Sequence, residues 1–209
     1  MDKARESFEV IQKMVTTAKA SWAIWFELYC NFEHGGPYSL STQLFFPFWS
    51  AVYHSQIHYV FLILSDLFGK RRGTHSLTYL MSLCRPRLPP RLYNECEQLI
   101  GSVSRHRKGV GILRGKHFGH KLVNSPLPEV LKEAGLKITD VDELLEVASK
   151  LVGNLMCAFL GTIDSHHVDF DSDDSAKKTV IEVLQSQLDQ FNKLGKRKRR
   201  RKSKDAASD

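Results

Sequence analysis

The chain lacks the residue patterns on which metal and redox proteins are built. Its four cysteines, Cys30, Cys84, Cys96 and Cys157, form no C-x-x-C pair and have no histidine at ligand spacing. Zinc fingers and disulfide frameworks are thereby excluded, and the thiols read as small buried apolar groups. Phosphate-binding glycine loops, dinucleotide fingerprints and serine nucleophile elbows are all missing, which removes three large enzyme classes. No segment alternates apolar and polar residues as a half-buried strand does, and no hairpin turn joins two such segments. Positive charge is also scarce where it would count. Of the formal +7, a net +6 falls in residues 196–209, where eight Lys or Arg face Asp205 and Asp209, leaving +1 for the rest. Any polyanion site on the body must therefore be a local patch and not a global field.

Two further absences bear on location. The first residues, Met-Asp-Lys-Ala-Arg-Glu, open a charged helical pattern without the apolar core of a signal peptide, so a cytoplasmic location is expected. Residues 44–64 are long enough to span a bilayer, but Pro47, Ser50, His54, Ser55, Gln56 and His58 interrupt them. Polar groups at that density are costly in lipid, and the segment reads as a buried helix with no membrane role.

What is present is helical periodicity at almost every step. Phe8, Ile11, Val15, Ala18, Trp22, Trp25, Phe26 and Tyr29 line one stripe of a long first helix over residues 3–30, which stops near His34-Gly-Gly-Pro37. A second helix, about 46–68, is apolar on most sides and is expected at the centre of a bundle. Its exceptions, Ser50, His54 and His58, with Ser65 nearby, share a face and predict a polar stripe that finds internal partners or backs a cleft. Thr74 or Ser76 caps a short third helix, and Pro86, Pro89 and Pro90 force a bend after it. Leu92, Cys96, Leu99, Ile100 and Val103 then mark a helix that leads into Arg105-His-Arg-Lys108. A connector follows Ser125-Pro-Leu-Pro128. Next comes a helix capped near Thr139, with Leu144, Leu145, Ala148, Leu151, Val152 and Leu155 on its apolar face. The expected organisation is an all-α bundle over 1–162, an acidic loop at 163–174, an amphipathic helix at 175–195 and a disordered basic tail at 196–209.

The segment that carries chemistry is Arg114-Gly-Lys-His-Phe-Gly-His120. It sets a permanent cation beside histidines that exchange protons near neutral pH, and phosphodiester cleavage needs both kinds of group. On a continuous helix His117 lies three residues from both Arg114 and His120, while Arg114 and His120 diverge by about 120°. Gly111, Gly115 and Gly119 recur every four residues and leave a face without side chains, open to a close helix contact within the chain or to a second subunit. Lys116, Lys121, Arg107 and Lys108 are the neighbouring cations available to a nucleic-acid backbone. His54 and His58 lack the glutamate and third ligand of a zinc helix, and His166 and His167 sit in a loop whose acids read as solvated, so no metal or cofactor is expected.

Residues 112–121, ILRGKHFGHK, resemble the Leu-Arg-x-Lys-x-x-x-His signature of the HEPN superfamily, in its abortive-infection U branch. The order of helices over about residues 5–160 resembles that family as well. The resemblance implies a helical bundle that dimerises, to which the amphipathic helix at 175–195 is additional. It also implies a metal-independent endoribonuclease serving in defence or as a toxin component. By the same resemblance, His120 does acid/base work on the ribose 2′-hydroxyl or leaving oxygen and Arg114 stabilises phosphoryl charge, with His117 in support. RNA, a protein partner such as an antitoxin, and a second copy of the chain are the implied partners. Gly115 stands where the family commonly has a polar residue, so a module that binds RNA or protein without cutting is the alternative.

Overall fold

The computed structural model describes residues 3–69, 75–116, 127–160 and 172–205. Among these, every regular element is helical: α1 (Lys3–Glu33), α2 (Ser39–Leu44), α3 (Phe46–Leu67), α4 (Leu77–Cys84), α5 (Pro90–Ser102), α6 (Ser104–Lys116), α7 (Leu127–Ala134), α8 (Ile138–Leu160) and α9 (Ser172–Asp205), with a short 3-10 turn, Arg85–Arg87, after α4. No helix among the described residues is long and apolar enough to cross a membrane.

The axis of the bundle is α1, which packs against α2, α3, α4, α8 and α9. Its predicted stripe is the core itself: Ile11, Val15, Ala18 and Trp25 are wholly buried, with Phe8 and Trp22 nearly so. Trp22 stacks on Trp25 at 4.6 Å between ring centroids, and Trp25 stacks on Tyr29 at 5.0 Å. Phe26 departs from the expected stripe. It is exposed, and Leu28 takes the buried position.

The expectation that the second long helix would be central is corrected by its outer face. On α3, Ile57, Val60, Phe61 and Leu64 enter the core, but Phe46, Phe48, Tyr59 and Leu62 are exposed. The helix is apolar on most sides because part of its apolar surface has no cover among the described residues.

Ser76 does cap α4, its hydroxyl accepting from the Tyr79 amide at 3.3 Å. The cap of α8 differs from the expected Thr139: the helix begins at Ile138, and the Asp140 carboxylate accepts from the Lys137 amide at 2.8 Å, one half of a capping box. Between α6 and α8, the expected connector contains α7. Gly135, at φ +67°, ends it, with Leu136 N–H returning to Leu131 O at 2.9 Å and Gly135 N–H to Lys132 O at 3.0 Å. Those two bonds form the glycine stop of a Schellman motif.

At the C-terminal side, α9 lies along α1 and α2. Ser41 Oγ donates to Leu184 O at 3.1 Å, and Trp49 Nε1 donates to Gln187 Oε1 at 3.0 Å. The helix begins before residue 175, and its bounds are Ser172–Asp205. Lys and Arg propagate helices well, and cations near a helix C-terminus are favoured by its dipole. Residues 161–171, which hold most of the expected acidic loop with His166 and His167, lie outside the described residues.

Candidate phosphodiester site

Helix α6 carries the first part of the motif and is fixed by an inner face of Val110 and Leu113, both buried, with Val103 buried in the turn before it. Gly109 makes the tightest approach. A Cβ there would stand 2.6 Å from Leu136 Cγ and 2.7 Å from Ala134 O, so α6 meets the end of α7 too closely for any side chain. Gly111, by contrast, would meet nothing within 4 Å and is exposed. Among the described residues Gly111 therefore makes no close contact within the chain, and the glycine that does, Gly109, is one that the four-residue spacing does not select. Gly115 lies on α6 near its end, and Gly119 lies outside the described residues.

Arg114 projects from the last turns of α6 onto the end of α3. Its Nη1 donates to Ser65 Oγ at 2.8 Å and to Asp66 Oδ1 at 2.7 Å. The pair is half-exposed, with 35% of the Arg114 side chain and 43% of Asp66 open to solvent. Among the described residues both bonds come from one terminal nitrogen. The other guanidinium nitrogens make no hydrogen bond among the described residues, and arginine favours bidentate contact with oxyanions.

Ser65 belongs to the predicted α3 polar stripe, and its end of the stripe does back the motif. Toward the other end His54 is exposed and His58 half-buried. Burial, and secondarily His54, hold the His58 imidazole below its ordinary pKa. The helical periodicity does not single out Asp66, although it has a signal: it is the one charged side chain in the 22 residues of α3.

The other expected cations separate. Lys108 is exposed on α6. Arg107 turns inward, Nη2 donating to Phe68 O at 3.0 Å, and burial lowers its pKa. It still remains cationic at any physiological pH. Lys116 ends α6, while His117, His120 and Lys121 lie outside the described residues.

One further cluster has no counterpart in the sequence motifs. His106 Nε2 faces Asp140 Oδ1 at 3.7 Å, and its Nδ1 faces Glu143 Oε2 at 3.4 Å. The three side chains offer ligand atoms within 4.8 Å of one another, the spacing of a candidate cation site. Opposite ring nitrogens address the two carboxylates, however, which suits an imidazole clamped between α6 and α8 better than a chelate. The cysteines are free thiols; Cys84 and Cys96 are buried, and burial pushes the Cys96 thiol up to about 11, so it is no nucleophile at neutral pH.

An all-helical bundle among the described residues, with Arg114 at a helix junction and histidines following it in the sequence, fits a class, that of HEPN domains. The chain belongs to the AbiU2 family of that class, whose model matches residues 2–180. No match to the chain is found among curated proteins or solved structures. The family name places the protein in the context of abortive infection, a defence role.

Proposed function

We propose that this protein is a metal-independent endoribonuclease acting in defence or as a toxin component, with Arg114 and His120 as its catalytic pair. The observation that carries the reading is Arg114, held by Ser65 and Asp66 at a junction of α3 and α6, with its other guanidinium nitrogens making no hydrogen bond among the described residues. Those nitrogens stabilise the charge that develops on the phosphoryl oxygens. Six residues further on, His120 takes or returns the proton of the 2′-hydroxyl or the leaving oxygen, and His117 supports it. Asp66 supplies, from α3, the polar group that Gly115 does not supply beside the arginine. Its role is to position Arg114, which it does not replace. Lys108, Lys116 and Lys121 lie along the same stretch of chain and contribute phosphate contacts.

A homodimer fits the same reading. Gly111 and Ile112 open outward on α6, and Tyr59 and Leu62 are exposed on α3, so both helices of the site offer bare or apolar surface. A second copy covering this surface would bring two motifs together. A cytoplasmic location is part of the proposal.

Incubation of the purified protein with single-stranded RNA and with its 2′-deoxy counterpart, both in excess EDTA, tests the chemistry. The expected outcome is cleavage of RNA alone. RNA that is retarded on a gel but left intact would replace the enzyme with a binding module, the reading that Gly115 keeps open.

A further inference from the structure

A cavity of about 590 Å³ lies between α4, α5 and the start of α6, outside the Arg114 junction. This is within the size range of small-ligand pockets. Tyr79, Tyr93 and Ile100 form its apolar walls, Glu97 and Arg107 its charged ones, and Gly101 part of its lining. Arg107 is tied through Nη2 to the backbone at Phe68, and among the described residues its other donors make no hydrogen bond. The Arg85 guanidinium sits 5.1 Å over the Tyr93 ring, which helps to hold this ring in place.

The position of the cavity relative to the motif is informative. Arg107 and Arg114 are seven residues apart on α6, about 10 Å along the axis, and return to nearly the same angular position. Both reach the end of α3: Arg107 binds Phe68 O, and Arg114 binds Ser65 and Asp66. Arg107 thus links the cavity it lines to the end of α3 that Arg114 also contacts, a separation that a few nucleotides of single strand can span.

We infer that this cavity is a base-recognition subsite for the RNA strand, a role that rests on the ribonuclease reading. In it one unstacked base lies against the Tyr79 and Tyr93 rings and its phosphate meets Arg107. Single-stranded RNA is read in this way, by splaying a base onto aromatic rings and bonding its edge. The Glu97 carboxylate accepts and does not donate, so it favours a ring edge that offers an amino group, as cytosine N4 does, over uracil at the same place. The subsite would make the enzyme selective for the sequence beside the cut without any contact from the motif itself.

Gly101 gives a test that leaves the charges intact. A Cβ there meets nothing within 4 Å, and the residue is exposed in the last turns of α5 and lines the cavity, so Gly101→Leu is expected to fold and to narrow the cavity. Calorimetric titration of the full chain with CMP and UMP is expected to show saturable CMP binding, with UMP weaker. Gly101→Leu and Arg107→Gln should each weaken CMP binding by about tenfold or more, as removal of base stacking or of a charged hydrogen bond does. Arg114→Ala should bind CMP as wild type does. CMP binding abolished in Gly101→Leu supports the subsite even if the protein cuts no RNA. The assignment is overturned by the absence of CMP binding, by binding that survives Gly101→Leu, or by equal binding of UMP. It is also overturned if RNA is cut with a base preference that Gly101→Leu leaves unchanged.

Discussion

Gly109 and Gly111 stand two residues apart on α6 and should respond in opposite ways to the same substitution. Gly109→Ala forces a methyl into Leu136 and the Ala134 carbonyl and is expected to cost about 1–3 kcal/mol, the usual range for overpacking. Gly111→Ala enters open space on a helix and is expected to stabilise by up to about 1 kcal/mol through helix propensity. Urea unfolding of both variants checks the pair, and equal effects would contradict the packing described. Only Gly111 is legible in the sequence, because a four-residue spacing is a local pattern. The neighbour that makes Gly109 obligatory belongs to the turn after α7, which no local pattern brings next to α6. Asp66 is hidden for the same reason: the motif announces Arg114, but its anchor is on another helix. His58 carries a pH dependence with a definite sign. Its folded pKa lies below that of the unfolded chain, so the unfolded state takes up the proton first as pH falls. Stability from this group is whole above about pH 6.5 and is lost as pH drops from there toward the folded value. Thermal midpoints recorded between about pH 7.5 and pH 5 should fall more steeply for wild type than for His58→Gln, and parallel curves would refute this.

Among the helices, those with a sustained apolar stripe are readable in the sequence, and those that owe their existence to a turn are not. The stripes of α1 and α8 are visible because a single buried face persists over many turns, and every apolar residue of the predicted α8 face is buried. The short α7 has too few turns to establish a period, and its defining feature, Gly135 at positive φ, is a backbone property. Capping is partly legible. Ser76 serves α4 as expected, and Ser76→Ala should cost about 1 kcal/mol, measurable as a lower urea midpoint at unchanged slope. For α8 the sequence shows a capping composition, but the Asp140 side chain rather than Thr139 makes the bond. The reading of α3 as central follows soundly from its composition. Apolar residues exposed on its outer face look the same in sequence as residues buried within the chain, and only the packing of α1 separates the two cases.

At the scale of the whole molecule, charge and chemistry occupy different places. The basic run at the end of α9 holds most of the net charge, while the Arg114 junction sits on a body that is nearly neutral. Removing residues 196–209 should therefore weaken RNA retention on gels. It should also flatten the dependence of log affinity on log salt by about 0.7 for each phosphate that the tail neutralises. Cleavage at saturating RNA should be unaffected, and a truncated protein that no longer cuts would place the tail within the site. The family match, over residues 2–180, ends inside α9, so the basic extension is a feature beyond the part that the family model describes. The central claim is that Arg114 and His120 together cut RNA without a metal. Its most direct measurement is the single-turnover cleavage rate of end-labelled single-stranded RNA in EDTA by wild type, Arg114→Ala and His120→Ala, each shown to be folded. The account requires cleavage by wild type and a fall of at least about a hundredfold in each variant, the usual contribution of a general acid/base or of one charge-stabilising group. Cleavage that persists at the wild-type rate in either variant would contradict it.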